Sequence, residues 1–351
     1  MIEVTDLFRI RDNRLEVFAT GLSHLFTDSN QNSLQYSYIE RVKFISNHIL
    51  SYCSDNNITL SDWNIVLDCR MENFYMSGLG KNVANYLSLS TDRVLILTSV
   101  DPEGTTKPYE YELDLLADAD SCYFYTELLE KNVDWESITI DRPIMCLAGR
   151  PSEYRARFTK KLVDLCRDNL RASLGNVSQY PLTDRQLENL KELMHPYSYP
   201  FSQGTDGKII GRAITNQKDP GDVLFNSLLS IVNETNDFSI PNIQLSEKSF
   251  KVFAWHQIPI FSASPKQVET IRAIGFDMFD DIIDHSYDTA PTVDLHDLKI
   301  LNEVAKFLKK YPTIEDVNQL RREIYPRLKA NNDLLHDLCK TRRFEPWPHY
   351  S

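Results

Sequence analysis

Short apolar runs alternate along this chain with stretches of helical period, and that alternation restricts the fold more than any other feature. "WNIVLDC" (63–69) reads as a buried strand ending at Asp68, "SGLGKNVANYLSLS" as a glycine turn and a helix, and "DRVLILTSVD" (92–101) as a second strand. "RPIMCLAG" (142–149) repeats the strand, and "SEYRARFTKKLVDLCRDNL" the helix. Further on, "TDRQLENLKELM" carries Thr183 and Asp184 as helix-start signals, and "SLLSIVNET" (227–235) reads as a strand. "SPKQVETIRAIGF" opens on Ser-Pro and stops at Gly275, as a helix does. The opening segment reads as helix then strand, and "YSYIERVKFISNHILSY" (36–52) as a helix with Ile39, Val42, Ile45 and Ile49 on one face. Strands separated by helices predict βαβ units, hence parallel sheets with helices on both faces.

At 351 residues the chain is long for one core and suits two domains. The expectation is an α/β protein of two Rossmann-like domains with C-terminal helices: residues 1–140, residues 141–290, and helices over 291–351. The net charge of −12 works against a surface that coats nucleic acid, though it leaves room for a local basic groove. Cys53, Cys69, Cys122, Cys146, Cys166 and Cys339 form no C-x-x-C pair, and several lie in apolar runs. They read as buried free thiols in a reducing compartment. The N-terminus lacks the apolar stretch of a signal peptide, and no window approaches the roughly 18 apolar residues that a membrane helix needs. A cytoplasmic protein without membrane contact is expected, with the sequons at Asn57, Asn176 and Asn233 as chance matches.

Two stretches carry chemistry. In "IQLSEKSF", Ser246 is an N-cap candidate, with Glu247 and Lys248 in the first turn of a helix. A Glu there suits the helix dipole, whereas a Lys does not unless an anion compensates it. In "GRPSEYRAR", Arg150, Arg155 and Arg157 lie at a strand-to-helix turn and in the helix after it, and Arg forks suit phosphate oxygens. Each stretch alone also reads as a solvated helix surface, and the arginine stretch more so than the lysine. Together, at the tops of strands in one domain, they would enclose a diphosphate without a metal.

"SIVNETNDFSIPNIQLSEKSFKVFAWHQIPIFSAS" resembles the donor-binding segment of fucosyltransferase-type glycosyltransferases, in which an apolar strand and a Glu/Asn/Ser cluster precede a Ser/Thr-Glu-Lys helix start and a Pro-containing strand. "GRPSEYRARFTKKLVDLC" resembles their Arg-bearing helix, and "SLGN" (173–176) the turn that closes it. "VETIRAIGFDMFDDIIDHSYD" is similar to a segment of glycosyltransferase-like proteins of bacteriophages. The likeness spans residues 142 to 288, and "NET" stands where the family tends to have Glu-Asn-Ser. It implies a two-domain fold of the GT-B kind with the donor bound mainly by the second domain. It also implies that Glu247 bonds ribose or sugar hydroxyls, that Lys248 and Arg155 (with Arg150 as a second candidate) neutralise the pyrophosphate, and that Asn233 or Glu234 lines the pocket.

An inverting enzyme of this kind needs a general base on the acceptor side. Asp68, at the end of its strand, and Glu72, in the loop after it, are the candidates, although carboxylates at strand ends are commonly helix caps. "DAD" (118–120) reads as a chance match to a metal-binding DxD, and His285 in "DDIIDHSYD" as part of a structural turn. P-loop, dinucleotide-binding, nucleophile-elbow and zinc-protease signatures are absent from the sequence.

The sequence reading is therefore a metal-independent glycosyltransferase, without a cofactor. It moves a sugar from a nucleoside-diphosphate sugar to a hydroxyl on a glycan or on a hydroxylated base of phage DNA, in the host cytoplasm if phage-encoded. A nucleotide-binding module without turnover and a nucleic-acid-binding protein are the alternatives. "KTRRFEPWPHY" at the C-terminus is a solvated tail or a nucleic-acid contact.

Overall fold

A computed structural model of the chain describes residues 8–11, 14–18, 38–68, 79–90, 93–98, 111–113, 133–148, 151–175, 182–205, 225–234, 243 and 245–340. The protein is mixed α/β and divides into two units, one of Met1–Asp120 together with Arg343–Ser351 and the other of Ser121–Arg342.

The first unit is built on a five-stranded sheet of order β1-β2-β3-β4-β5: Phe8–Arg11, Arg14–Phe18, Asn64–Asp68, Val94–Thr98 and Tyr111–Leu113. β1 and β2 are antiparallel, with Arg11 opposite Arg14, and the remaining pairs are parallel. The helix expected in the opening segment therefore gives way to a strand pair. Its signature is "FRIR-DN-RLEVF", two alternating runs separated by two turn-forming residues. Helix α1 (Tyr38–Asp55) buries Val42, Ile45, Ile49 and Cys53 along one stripe, and α2 (Leu79–Tyr86) buries Leu79, Val83 and Ala84. Both join the core made by Leu15, Val17, Ile65, Leu67 and Val94. Strands β2 to β5 follow one another across the sheet in chain order. Right-handed crossovers taken repeatedly in one direction place their helices on one face, and α1 and α2 pack on each other accordingly.

The second unit is built on strands β6 (Ile144–Ala148), β7 (Leu170–Leu174), β8 (Phe201–Gln203), β9 (Leu229–Asn233) and β10 (Ile258–Ser262), in the order β10-β9-β6-β7-β8. Only β8 is antiparallel to its neighbour. The chain starts in the middle at β6, moves one way to β7, then returns to the other side for β9 and β10. Helix α3 (Glu153–Cys166) makes the first crossover, and α4 (Asp184–Met194) packs on it behind a capping box of Thr183 and Gln186. Helix α5 (Glu247–Ala254) makes the return crossover between β9 and β10, and α6 (Gln267–Ile274) follows β10. Because the direction reverses, α3 and α5 fall on opposite faces. Both faces being covered, β6, β7, β9 and β10 are apolar and almost wholly buried.

The helix expected over 152–170 ends at Cys166, where Arg167 takes φ 47, and a strand begins at Leu170. Arg171 disguises that strand in the sequence. Its side chain is buried and pairs with Asp141 at 2.6 Å. Pro259 lies within β10, which is compatible with an edge strand because an outward N–H is not needed there.

Helix α7 (Val293–Lys310) packs on α3 and β10, and α8 (Ile314–Lys340) packs on α5. Two side-chain amides of α8 imitate backbone pairing. Asn318 accepts from the Ile140 N–H at 2.7 Å and donates to its carbonyl at 3.1 Å, and Asn331 does the same for Asp277 at 2.8 Å in both directions. Arg321 adds a hydrogen bond to the Trp135 carbonyl. Among the described residues no helix is long and apolar enough to cross a membrane.

Candidate functional site

The reversal of strand order puts the carboxyl ends of β6 and β9 side by side with their crossovers leaving to opposite faces. In open α/β sheets a crevice forms at such a point, and ligands bind there. Arg155 spans it. Ser152 caps α3 by accepting from the Arg155 N–H at 3.2 Å, which sets the guanidinium one turn into the helix. Arg155 is 2% exposed, and its guanidinium donates to the Asn233 carbonyl at 2.8 Å and the Glu234 carbonyl at 3.2 Å. An arginine from the helix after β6 thus holds the end of β9.

Glu234 is buried, and its carboxylate meets the first turn of α5. The Ser246 hydroxyl lies 2.7 Å from both carboxylate oxygens and donates to them, while accepting from the Lys248 N–H at 3.1 Å as the helix N-cap. The Ser249 hydroxyl donates to Glu234 Oε1 at 2.7 Å and accepts from Gln267 Nε2 at 2.9 Å. Lys248 Nζ stands 3.8 Å from Glu234 Oε2, with the Lys248 side chain 30% exposed. The anion that offsets a lysine at a helix N-terminus is therefore present in the chain itself. Lys248 keeps enough exposure to meet a second one.

Asn233 is 1% exposed, and neither its Oδ1 nor its Nδ2 makes a hydrogen bond of ordinary geometry; its side chain meets the Cys146 thiol, a weak partner whose pKa it helps to lower. It lies two residues beyond Ile231, which pairs in register with Cys146 of β6, so it sits where the two strand ends adjoin. An unpartnered buried amide costs about 1–3 kcal/mol for each group left without a partner, and such a cost in a native fold calls for an explanation. A ligand that both donates and accepts supplies one. Cys146 is no nucleophile: burial pushes its thiol up to about 12, against a partial offset from Arg155. Cys53 and Cys166 are likewise buried and free.

Of the residues singled out in the sequence, Arg155, Asn233, Glu234, Ser246 and Lys248 are brought together around the end of β9 and the start of α5. Glu247 is the first residue of α5, with its side chain outside the described residues. Arg150 and Glu72 lie outside them too, as do "DAD" and the tail beyond residue 340. Asp68 is described only through its backbone, as the last residue of β3 paired with Phe18 and Leu97. Arg157 is exposed and pairs with Glu153 at 3.2 Å, as a surface helix pair does.

Sequence reasoning missed Ser249 and Gln267. Ser249 carried a weak signal, a second hydroxyl one turn after the N-cap. Gln267 carried none, because nothing local ties the start of α6 to the start of α5. No family model, curated protein or solved structure matches the chain.

Proposed function

We propose that the second unit binds a nucleoside-diphosphate sugar and that the protein is a glycosyltransferase of GT-B type, transferring the sugar to a hydroxyl acceptor. The observation that carries this reading is the meeting of Arg155, Asn233, Glu234, Ser246 and Lys248 where the strand order reverses. Counted outward from β6, the order runs 3-2-1-4-5, the order of a Rossmann-like nucleotide-binding half, with antiparallel β8 as a departure.

Glycosyl transfer builds negative charge on the departing nucleoside diphosphate. Lys248 and the N-terminus of α5 are fixed in advance of that charge and lower the barrier to its formation. The Asn233 amide supplies a donor and an acceptor to the ligand. Asp68 and Glu72 are the candidates for the base that takes the acceptor's proton. The acceptor is a glycan or a hydroxylated base in DNA.

Calorimetric titration of UDP, GDP, ADP and CMP into the wild type and Lys248→Ala, without added metal, tests the reading. One nucleotide is expected to bind, with at least tenfold weaker binding by a Lys248→Ala variant that remains folded by circular dichroism. Failure of every nucleotide to bind, or equal binding by the variant, overturns it.

A further inference from the structure

The first turn of α5 already faces a negative charge. Glu234 accepts hydrogen bonds from the Ser246 and Ser249 hydroxyls and lies 3.8 Å from the Lys248 ammonium. It thus occupies, with respect to Lys248, the place that the phosphate of a ligand would take. Yet the carboxylate is held mainly by hydroxyls. The lysine contact is the longest of these contacts, and the lysine is the more exposed partner of the pair. The Asn233 amide, buried at the same strand end with no hydrogen bond of ordinary geometry and only a weak thiol contact to Cys146, is the independent sign that the protein's own groups do not complete the site.

We infer that Glu234 is the resident counter-ion of a phosphate site. It holds Lys248 in the ligand-free protein and shares that lysine with an incoming diphosphate, so the charge on Glu234 limits how tightly the site takes phosphate. Ser249 and Gln267 are positioning residues in this arrangement. With Gln267 Nε2 donating to it, the Ser249 oxygen is satisfied as an acceptor and its own proton points at Glu234. A carboxylate satisfied by hydroxyls makes a smaller claim on the ammonium. The inference rests on the donor-site reading and adds to it a built-in brake on affinity.

The test is calorimetric titration of inorganic pyrophosphate into the full chain at low salt, for the wild type, Glu234→Gln, Ser249→Ala, Lys248→Ala and the double variant Glu234→Gln/Lys248→Ala. Removing one unit charge a few ångströms from the anion is expected to tighten binding in Glu234→Gln about tenfold. The gain shrinks in the Lys248→Ala background, where the part that acts through the lysine is lost and only the relief of direct repulsion remains. Ser249→Ala, which throws Glu234 more heavily onto Lys248, weakens binding about threefold.

Unchanged or weaker pyrophosphate binding by Glu234→Gln overturns the inference. The donor reading survives that result so long as a nucleotide binds and Lys248→Ala weakens its binding at least tenfold. Absence of both pyrophosphate and nucleotide binding in every variant overturns both. If Glu234→Gln does not fold, Ser249→Ala decides alone, and an affinity equal to wild type overturns the inference.

Discussion

The carboxyl ends of β9 and β10 lie side by side, with Asn233 opposite Ser262 in register, and they are finished in contrasting ways. At the end of β10 the segment after α6 returns to close the backbone. The Tyr287 oxygen accepts from the Phe261 N–H at 3.1 Å, and its proton goes to His285 Nδ1 at 2.8 Å. His285 Nε2 donates to the Met278 carbonyl at 2.7 Å, which fixes the neutral tautomer, and burial lowers the His285 pKa in keeping with it. Asp288 accepts from the Val268 and Glu269 N–H groups, both at 3.1 Å, and so fills the N-terminus of α6. At the end of β9 the carboxylate is met by hydroxyls and a shared lysine, and the Asn233 amide has only a weak thiol contact. The β10 end has its backbone and the α6 N-terminus closed, although Ser264 Oγ and Gln267 Oε1 are buried there without a hydrogen-bond partner. Its neighbour carries a polar debt that a ligand can settle, which is where function is expected to depart from the most stable solution.

The contrast breaks if damage to the closed end reaches binding. Tyr287→Phe leaves the Phe261 N–H and His285 Nδ1 buried without partners, and should remove about 2–4 kcal/mol of stability in denaturant titration. Nucleotide affinity of the folded protein should stay as in the wild type. A parallel fall in affinity would show that the two ends act as one.

Asp288→Ala is expected to cost about 2 kcal/mol through loss of the α6 cap. The pH dependence sharpens the point. Burial raises the Asp288 pKa above its ordinary 3.8, so the folded state holds the proton more tightly than the unfolded chain. Stability contributed by the protonated form is then lost as pH rises from about 4 through the raised value. Subtracting the stability–pH curve of Asp288→Asn from that of the wild type should show that decline, and a difference curve rising with pH would refute it.

The smallest effect is expected at the open end, with the opposite sign. Asn233→Val removes an amide that meets only a weak thiol partner, so stability should hold or rise by about 1 kcal/mol while nucleotide affinity falls. A clear loss of stability would mean that the amide is satisfied within the ligand-free fold.

Much of the second unit was legible in the sequence because its signals are local. The apolar runs of β6 and β9, the Ser246 cap and the Thr183–Asp184 helix start each depend on a few neighbouring residues, and each stands where expected. What stayed hidden depends on partners distant in the chain. β7 falls where the sequence suggests the end of a helix and its closing turn, because the reason for a buried Arg171 is Asp141, thirty residues earlier. The first hairpin was missed for another reason: "FRIR" and "RLEVF" are short, charged alternations that helical spacing fits nearly as well. At the candidate site, charge made Lys248 conspicuous. That Glu234 answers it appears only once β9 and α5 are packed together.

The amide clamps of α8 bear on how the protein is made. Asn318 bonds Ile140 across 178 positions of sequence, and Arg321 bonds Trp135 across 186. A ribosome delivers Ile140 long before it delivers Asn318, and loops of that length close slowly. The segment before β6 therefore waits through most of the unit's synthesis with its N–H and C=O unmatched by their eventual partner. The second unit becomes a finished object only when its last helix emerges.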